Sequence, residues 1–209
     1  MSVRRQPKGV PVGGQYAENA HDEATASLAP SPIVAEGHGE ERTAFDNGYA
    51  AVEMKASEYG SFTTIRSGGS GTGAAVLIMN QHRQALMVSQ NRWAVSEVTW
   101  EIPRGGSFIG EDHSETAQRE VREETGIDLK LDSILSLGNV QPDTGLMQTE
   151  AGLFLARTDD GSERPVRTEE ITGRRWVDVD TLVQACATGE IKDSFTTAAV
   201  LRARILGYI

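Results

Sequence analysis

Cysteine is nearly absent. Cys186 is the single one in 209 residues, which excludes an internal disulfide or a zinc site of clustered thiolates and fits a reducing compartment. No apolar run approaches the ~20 residues that a membrane-spanning helix needs. The opening MSVRRQPKGV carries two arginines but not the apolar stretch and cleavage site of a secretory signal, so a soluble, cytoplasmic protein is expected. Positive charge is also scarce, with 20 Lys and Arg against 30 Asp and Glu for a net charge of -10. That balance argues against non-specific binding to a nucleic-acid backbone, which needs a basic face. Large apolar side chains are almost missing from residues 1–44, where Pro, Gly, Ala, Ser, Glu and His prevail. Such a segment cannot bury enough surface to offset its ordering entropy, and a flexible tail is expected there.

From Phe45 the pattern changes to that of one α/β domain over residues 45–209. Strands are expected at 49–54 and 61–66 on either side of a turn at Glu58, Tyr59 and Gly60. Residues 74–79 and 85–90 form two more, joined by a polar turn at 80–83, and 98–102 forms another that ends at Pro103. Further strands fall at 134–140, 151–156 and 174–177, with helices at 179–187 and 195–206. Strands interleaved with few helices predict a mixed sheet with helices packed on it. The run GGSGTG at 68–73 formally matches a dinucleotide fingerprint, but that motif follows a strand and opens a helix. Here the glycines lead into a strand, so the run is read as a flexible inter-strand loop.

The stretch GGSFIGEDHSETAQREVREETGI at 105–127 carries the chemistry. Glu120, Glu123 and Glu124 lie three and four residues apart, on neighbouring positions of one helical face, where their repulsion calls for a cation between them. Asp112 or Ser114 can cap the helix, Glu115 completes a capping box with Asp112, and Gly126 can close it in a left-handed conformation. Ala117 and Val121 supply a narrow buried stripe, which leaves the carboxylate side free. Arg119 stands four residues before Glu123 and can orient it and its neighbours. At Gly105 and Gly106 the absent side chain lets backbone approach a metal or phosphate.

Gly105, Glu111 and the run Arg119-Glu120-Val121-x-Glu123-Glu124-x-Gly126-Ile127 resemble the complete signature of the Nudix hydrolase family. The resemblance implies an α/β/α sandwich with a mixed sheet that hydrolyses a nucleoside diphosphate linked to another moiety. It implies that Glu120 and Glu124, often with Glu123, bind two or more Mg²⁺ or Mn²⁺ ions, which suits the preference of magnesium for a few carboxylates plus substrate oxygens. By the same resemblance the backbone carbonyl of Arg104 can add a ligand, and Glu111 is more often structural than catalytic.

Ser89-Gln90-Asn91-Arg92, the run Trp100-Glu101-Ile102-Pro103-Arg104-Gly105, and Pro142, sixteen residues after Gly126, resemble the ADP-ribose pyrophosphatases of that family. By this resemblance Arg92 contacts substrate phosphates, Pro142 marks the subfamily, and Glu170 or Glu169, with preference for Glu170, orients or deprotonates the attacking water. The strands at 45–66 match a region that such enzymes use to form homodimers. Each assignment has a plainer alternative: a surface arginine at 92, a loop proline at 142, solvated acids at 169 and 170. Trp100 is either a base-stacking ring or core. Arg104 departs from the small residue usual before the box glycine, and the loop at 141–150 lacks a glycine directly after the proline, so sugar and base specificity are the open points. Other nucleoside diphosphate derivatives, or a non-catalytic nucleotide-sugar sensor, are the competing functions. His21, His38, His82 and His113 receive no role.

Overall fold

The two runs richest in small and branched apolar residues build the centre of the sheet. In the computed structural model, which describes residues 41–48, 50–57, 60–67, 70–159 and 171–209, they are β4 (Thr72–Met79) and β5 (Gln84–Arg92). A polar turn joins them, where the Asn80 side chain accepts from the N–H groups of His82 and Gln84 at 3.0 Å and Arg83 takes φ 59°. Beyond the turn the two strands part, since they pair directly only at Met79 and Ala85. β6 (Glu97–Glu101) folds back on β5, and β7 (Arg104–Gly106) crosses over to pair with β4.

β8 (Ile134–Val140), β9 (Glu150–Arg157) and β10 (Ile171–Asp178) complete a seven-stranded sheet of order β10-β5-β4-β9-β8, with β6 and β7 paired to β5 and β4. Only the β4–β9 pair is parallel, so the sheet is mixed. Successive side chains of a strand face opposite ways, and β4 feeds two cores. Ala75, Leu77 and Met79 meet Val179, Leu182, Ala199 and Val200 of α2 (Val179–Thr188) and α3 (Ser194–Ile205). Ala74, Val76 and Ile78 meet Ala117 and Val121 of α1 (His113–Thr125). The result is the expected three-layer α/β/α sandwich.

A separate three-stranded antiparallel sheet comprises β1 (Glu41–Asp46), β2 (Ala50–Ser57) and β3 (Gly60–Ser67). β1 starts within the segment 1–44, where a tail is expected. Its residues 42–46 are exposed and the strand is held by backbone pairing to β2, so it carries no apolar pattern to read. Residues 1–40 and the turn residues Glu58 and Tyr59 lie outside the described residues. The glycine run is partly built into the fold: Thr72 and Gly73 belong to β4, and the Ser70 hydroxyl donates to the Ser107 carbonyl at 3.0 Å. Among the described residues, no helix is long and apolar enough to cross a membrane.

Candidate active site

The parting of β4 from β5 leaves a gap into which β7 and the end of α1 place their polar groups. Asp112 caps α1 by accepting from the N–H groups of Ser114 and Glu115, the Glu115 side chain bonds back to the Asp112 N–H, and Gly126 ends the helix at φ 74°. The sheet-facing side of α1 carries Thr116, Ala117, Val121, Thr125 and also Glu124. The expected free carboxylate side is therefore divided. Glu124 is only 6% exposed, Glu120 is also largely covered, and Glu123 faces solvent.

Two glycines explain how carboxylates fit against the sheet. A Cβ on Gly105 would overlap the Glu120 carboxylate, and a Cβ on Gly73 would stand 2.6 Å from the Gly105 carbonyl oxygen. Glu124 accepts from Gln90 Nε2 at 2.6 Å and from the Arg104 N–H at 3.2 Å. The Val76 N–H donates to the Pro103 carbonyl at 2.9 Å and the Ser107 N–H to the Thr72 carbonyl at 3.0 Å, one on each side of the paired β4–β7 residues. Arg104, opposite Ala75 on β4, gives its N–H to Glu124. Burial above all, then the Glu120 charge, pushes the Glu124 carboxyl up to about 8. Burial likewise raises Glu120 against the pull of Arg119.

Arg119 ties the helix to the loop before it. It donates to Glu111 at 2.9 Å through Nε and Nη2, to Glu120 at 2.6 Å, to Glu123 at 3.2 Å and to the Gly106 carbonyl at 2.7 Å. Its bonds to Glu111, followed by those from the Phe108 N–H and Thr116, outweigh burial and hold the Glu111 carboxyl at about 2. Glu111 thus braces the loop rather than facing the gap.

On the opposite wall Glu101, 2% exposed, clamps two arginines. Arg92 binds it through Nε at 2.9 Å and Nη2 at 2.5 Å, and Arg104 through Nε at 2.8 Å. Burial alone would raise the Glu101 carboxyl, but Arg92, Arg104 and Thr99 bring it down to about 2. Arg104 continues to Asp193 at 3.2 Å and lies 4.6 Å over the Phe195 ring, which joins this wall to α3.

A cavity of about 950 Å³ opens between these walls and gathers Arg92, Arg104, Gly105, Gly106, Glu120, Glu124 and Pro142. Glu123 does not line it, and Glu169 and Glu170 lie outside the described residues. A smaller depression of about 440 Å³ on the outer side of α1 contains Glu111 and Arg119 but neither Glu120 nor Glu124. Trp100 packs against the core with Arg175 4.1 Å over its ring, so of its two readings the structure supports core. Gln90, Glu101 and Gly73, which the sequence shows only as members of longer runs, and Trp93 and Phe195, which it does not single out, also stand at or behind these walls. Glu101 carries a usable signal, as a charge between the apolar Trp100 and Ile102, whereas Gln90, between Ser89 and Asn91, carries none.

These features define a protein of known type: residues 69–198 match the NUDIX domain, and the chain belongs to that family. The chain is also 29% identical over 136 residues to a CMP-5'-(N-acetyl-N-hydroxy-3-aminopropyl)phosphonate hydrolase of Streptomyces rubellomurinus (strain ATCC 31215). The match covers 65% of each chain, less than two thirds of that relative's length.

Nudix proteins generally use divalent cations such as Mg²⁺, and the donor set fits one. Among the described residues no three His, Cys, Asp or Glu side chains converge into a ready cage. Magnesium, however, usually takes only one or two carboxylates and fills its shell with water and substrate oxygens. The Glu120–Glu124 pair, whose charged forms burial disfavours, offers hard oxygen donors that would suit such an ion.

Proposed function

We propose that this chain hydrolyses the pyrophosphate linkage of ADP-ribose or a similar nucleoside diphosphate sugar, giving a nucleoside monophosphate and a sugar phosphate. The observation that carries this reading is the buried Glu120–Glu124 pair in a cavity whose other wall presents Arg92 and Arg104. Carboxylates on one side and guanidinium groups on the other suit a phosphate chain whose charge is shared between cations and donors.

Glu120 and Glu124 would hold Mg²⁺ or Mn²⁺, two or more ions, with the Arg104 carbonyl as a further ligand; Glu123, which faces solvent, would join them only by swinging away from Arg119. Bound there, the metal would neutralise the pyrophosphate and make water a stronger nucleophile. Arg92 binds a phosphate oxygen with the donors that Glu101 leaves free, Gly105 and Gly106 admit the phosphates to the backbone, and Pro142 shapes the facing wall. Water attacks one phosphorus, the bond to the bridging oxygen breaks, and that oxygen leaves with the other phosphate. The water proton passes to a carboxylate, for which Glu170 is the first choice and Glu169 the second. A homodimer paired through 45–66 belongs to the same proposal, and the exposed Phe45 and Phe62 on the small sheet support it.

The Streptomyces relative favours a second substrate, a CMP-5'-phosphonate conjugate. A panel of ADP-ribose, other nucleoside diphosphate sugars, a dinucleotide polyphosphate and such a conjugate, each assayed with phosphatase for released phosphate, tests both. Turnover should require Mg²⁺ or Mn²⁺. Glu124→Gln at saturating Mg²⁺ should lose at least the roughly 10–100-fold activity seen when partners of metal ligands are removed. Wild-type turnover by that variant would end the assignment of this site, and tight ADP-ribose binding without turnover would favour a sensor.

A further inference from the structure

Trp93 opens the four-residue turn between β5 and β6, is 89% exposed, and lines the cavity beside Arg92 and Ala94. Tryptophan is among the residues most covered on average, so an open indole at a cavity mouth calls for an occupant. The turn that presents it is firmly built. The Val95 N–H donates to the Arg92 carbonyl at 3.1 Å, the Ser96 N–H donates to the Trp93 carbonyl at 3.3 Å, and Ser96 takes φ 54°. Both stems are pinned, Arg92 by Glu101 and Glu97 by Lys192 Nζ at 2.9 and 3.0 Å. A ring carried on a fixed hairpin has little backbone freedom left to lose on binding.

The other aromatic side chains near the site are taken. Phe195, the second aromatic of the cavity lining, lies under the Arg104 guanidinium, and Trp100 is in the core under Arg175. Trp93 is the ring with a free face. Its neighbour Arg92 and the Glu120–Glu124 pair mark where phosphates would lie, which leaves the mouth of the cavity for the less polar end of a nucleotide.

We propose that Trp93 is the platform on which the substrate's nucleobase stacks. The inference rests on the hydrolase reading for the phosphate position and adds the base subsite to it. A purine or pyrimidine ring meets the indole face to face with an offset, as aromatic pairs prefer.

Binding of AMP, CMP and ribose 5-phosphate to the full chain with Mg²⁺, followed by calorimetry and tryptophan fluorescence, tests it. AMP and CMP should alter the emission of Trp93, and ribose 5-phosphate should not. Trp93→Ala should weaken AMP and CMP by about tenfold, the scale of one base–aromatic stack, and leave ribose 5-phosphate unchanged. Trp93→Phe, which keeps a ring, should retain most of the affinity while losing the fluorescence response, with both variants melting as the wild type does. Unchanged nucleotide affinity in Trp93→Ala, an equal loss for ribose 5-phosphate, or no nucleotide binding by the wild type overturns the platform. So does a wild-type dimer that Trp93→Ala splits with nucleotide affinity intact. The two readings fail separately. Stacking on Trp93 without turnover of any nucleoside diphosphate derivative removes the hydrolase, whereas turnover with unchanged KM in Trp93→Ala removes only the platform.

Discussion

Burial, followed by the charge of Glu120, lifts the Glu124 carboxyl from an ordinary 4.5 to about 8, so the folded chain binds that proton more tightly than the unfolded one. The stability this lends is complete below about 4.5 and is lost as pH rises toward 8. Glu111 and Glu101, both held at about 2 by arginines, act in the opposite sense: their stabilisation is complete above about 4.5 and is lost as pH falls through 2. In chelator, the melting temperature should therefore decline between pH 5 and 8 by a component that Glu124→Gln abolishes and Mg²⁺ reverses. A wild-type profile in chelator that matches the variant over that range would contradict the burial of this charge. The spacing of Glu120, Glu123 and Glu124 was readable as one helical face. Which two turn inward was not, because that depends on Gln90 and the Arg104 N–H, supplied by strands 34 and 20 residues away.

At the scale of elements, the β4–β7 pair decides whether the helix can lie close to the sheet. Gly73→Ala would drive a methyl group against the Gly105 carbonyl, a backbone atom that cannot swing aside. Denaturant unfolding should show it destabilised by about 1–3 kcal/mol, the usual cost of overpacking. Gly105→Ala meets first the Glu120 carboxylate, the far end of a flexible side chain. That variant should melt close to wild type yet lose on the order of tenfold or more in Mg²⁺-dependent activity. Equal stability losses in both would show that Glu120 is held rigidly. The capped helix α1 was legible because its stop and start signals are local, Asp112 with Glu115 and Gly126. β7 was not, since three residues, Arg-Gly-Gly, are too short to show an alternation and gain their strand character only from β4.

For the whole molecule, the seven-stranded sheet and its two helical layers follow from apolar runs that the sequence displays openly, above all β4 and β5. The three-stranded sheet of β1–β3 stands apart from that plan and touches it where Ile65 exchanges backbone bonds with Leu146 and Gln148 at 2.8 and 2.9 Å. If it pairs subunits, sedimentation should give the full chain twice the mass of its protomer and a chain lacking residues 1–66 a single protomer mass. One protomer mass for both removes the dimer.

By itself the sequence determined the layered α/β plan, the capped acidic helix and the glycine and glutamate spacing of the box, because each depends on residues close together in the chain. Only the tertiary structure decided that Glu123 faces solvent while Glu120 and Glu124 face the cavity, that Glu101 holds Arg92 and Arg104, and that Trp93 rather than Trp100 has an open ring. Those outcomes depend on the parting of β4 from β5, and on burial and charge contributed across it by segments that the chain keeps far apart.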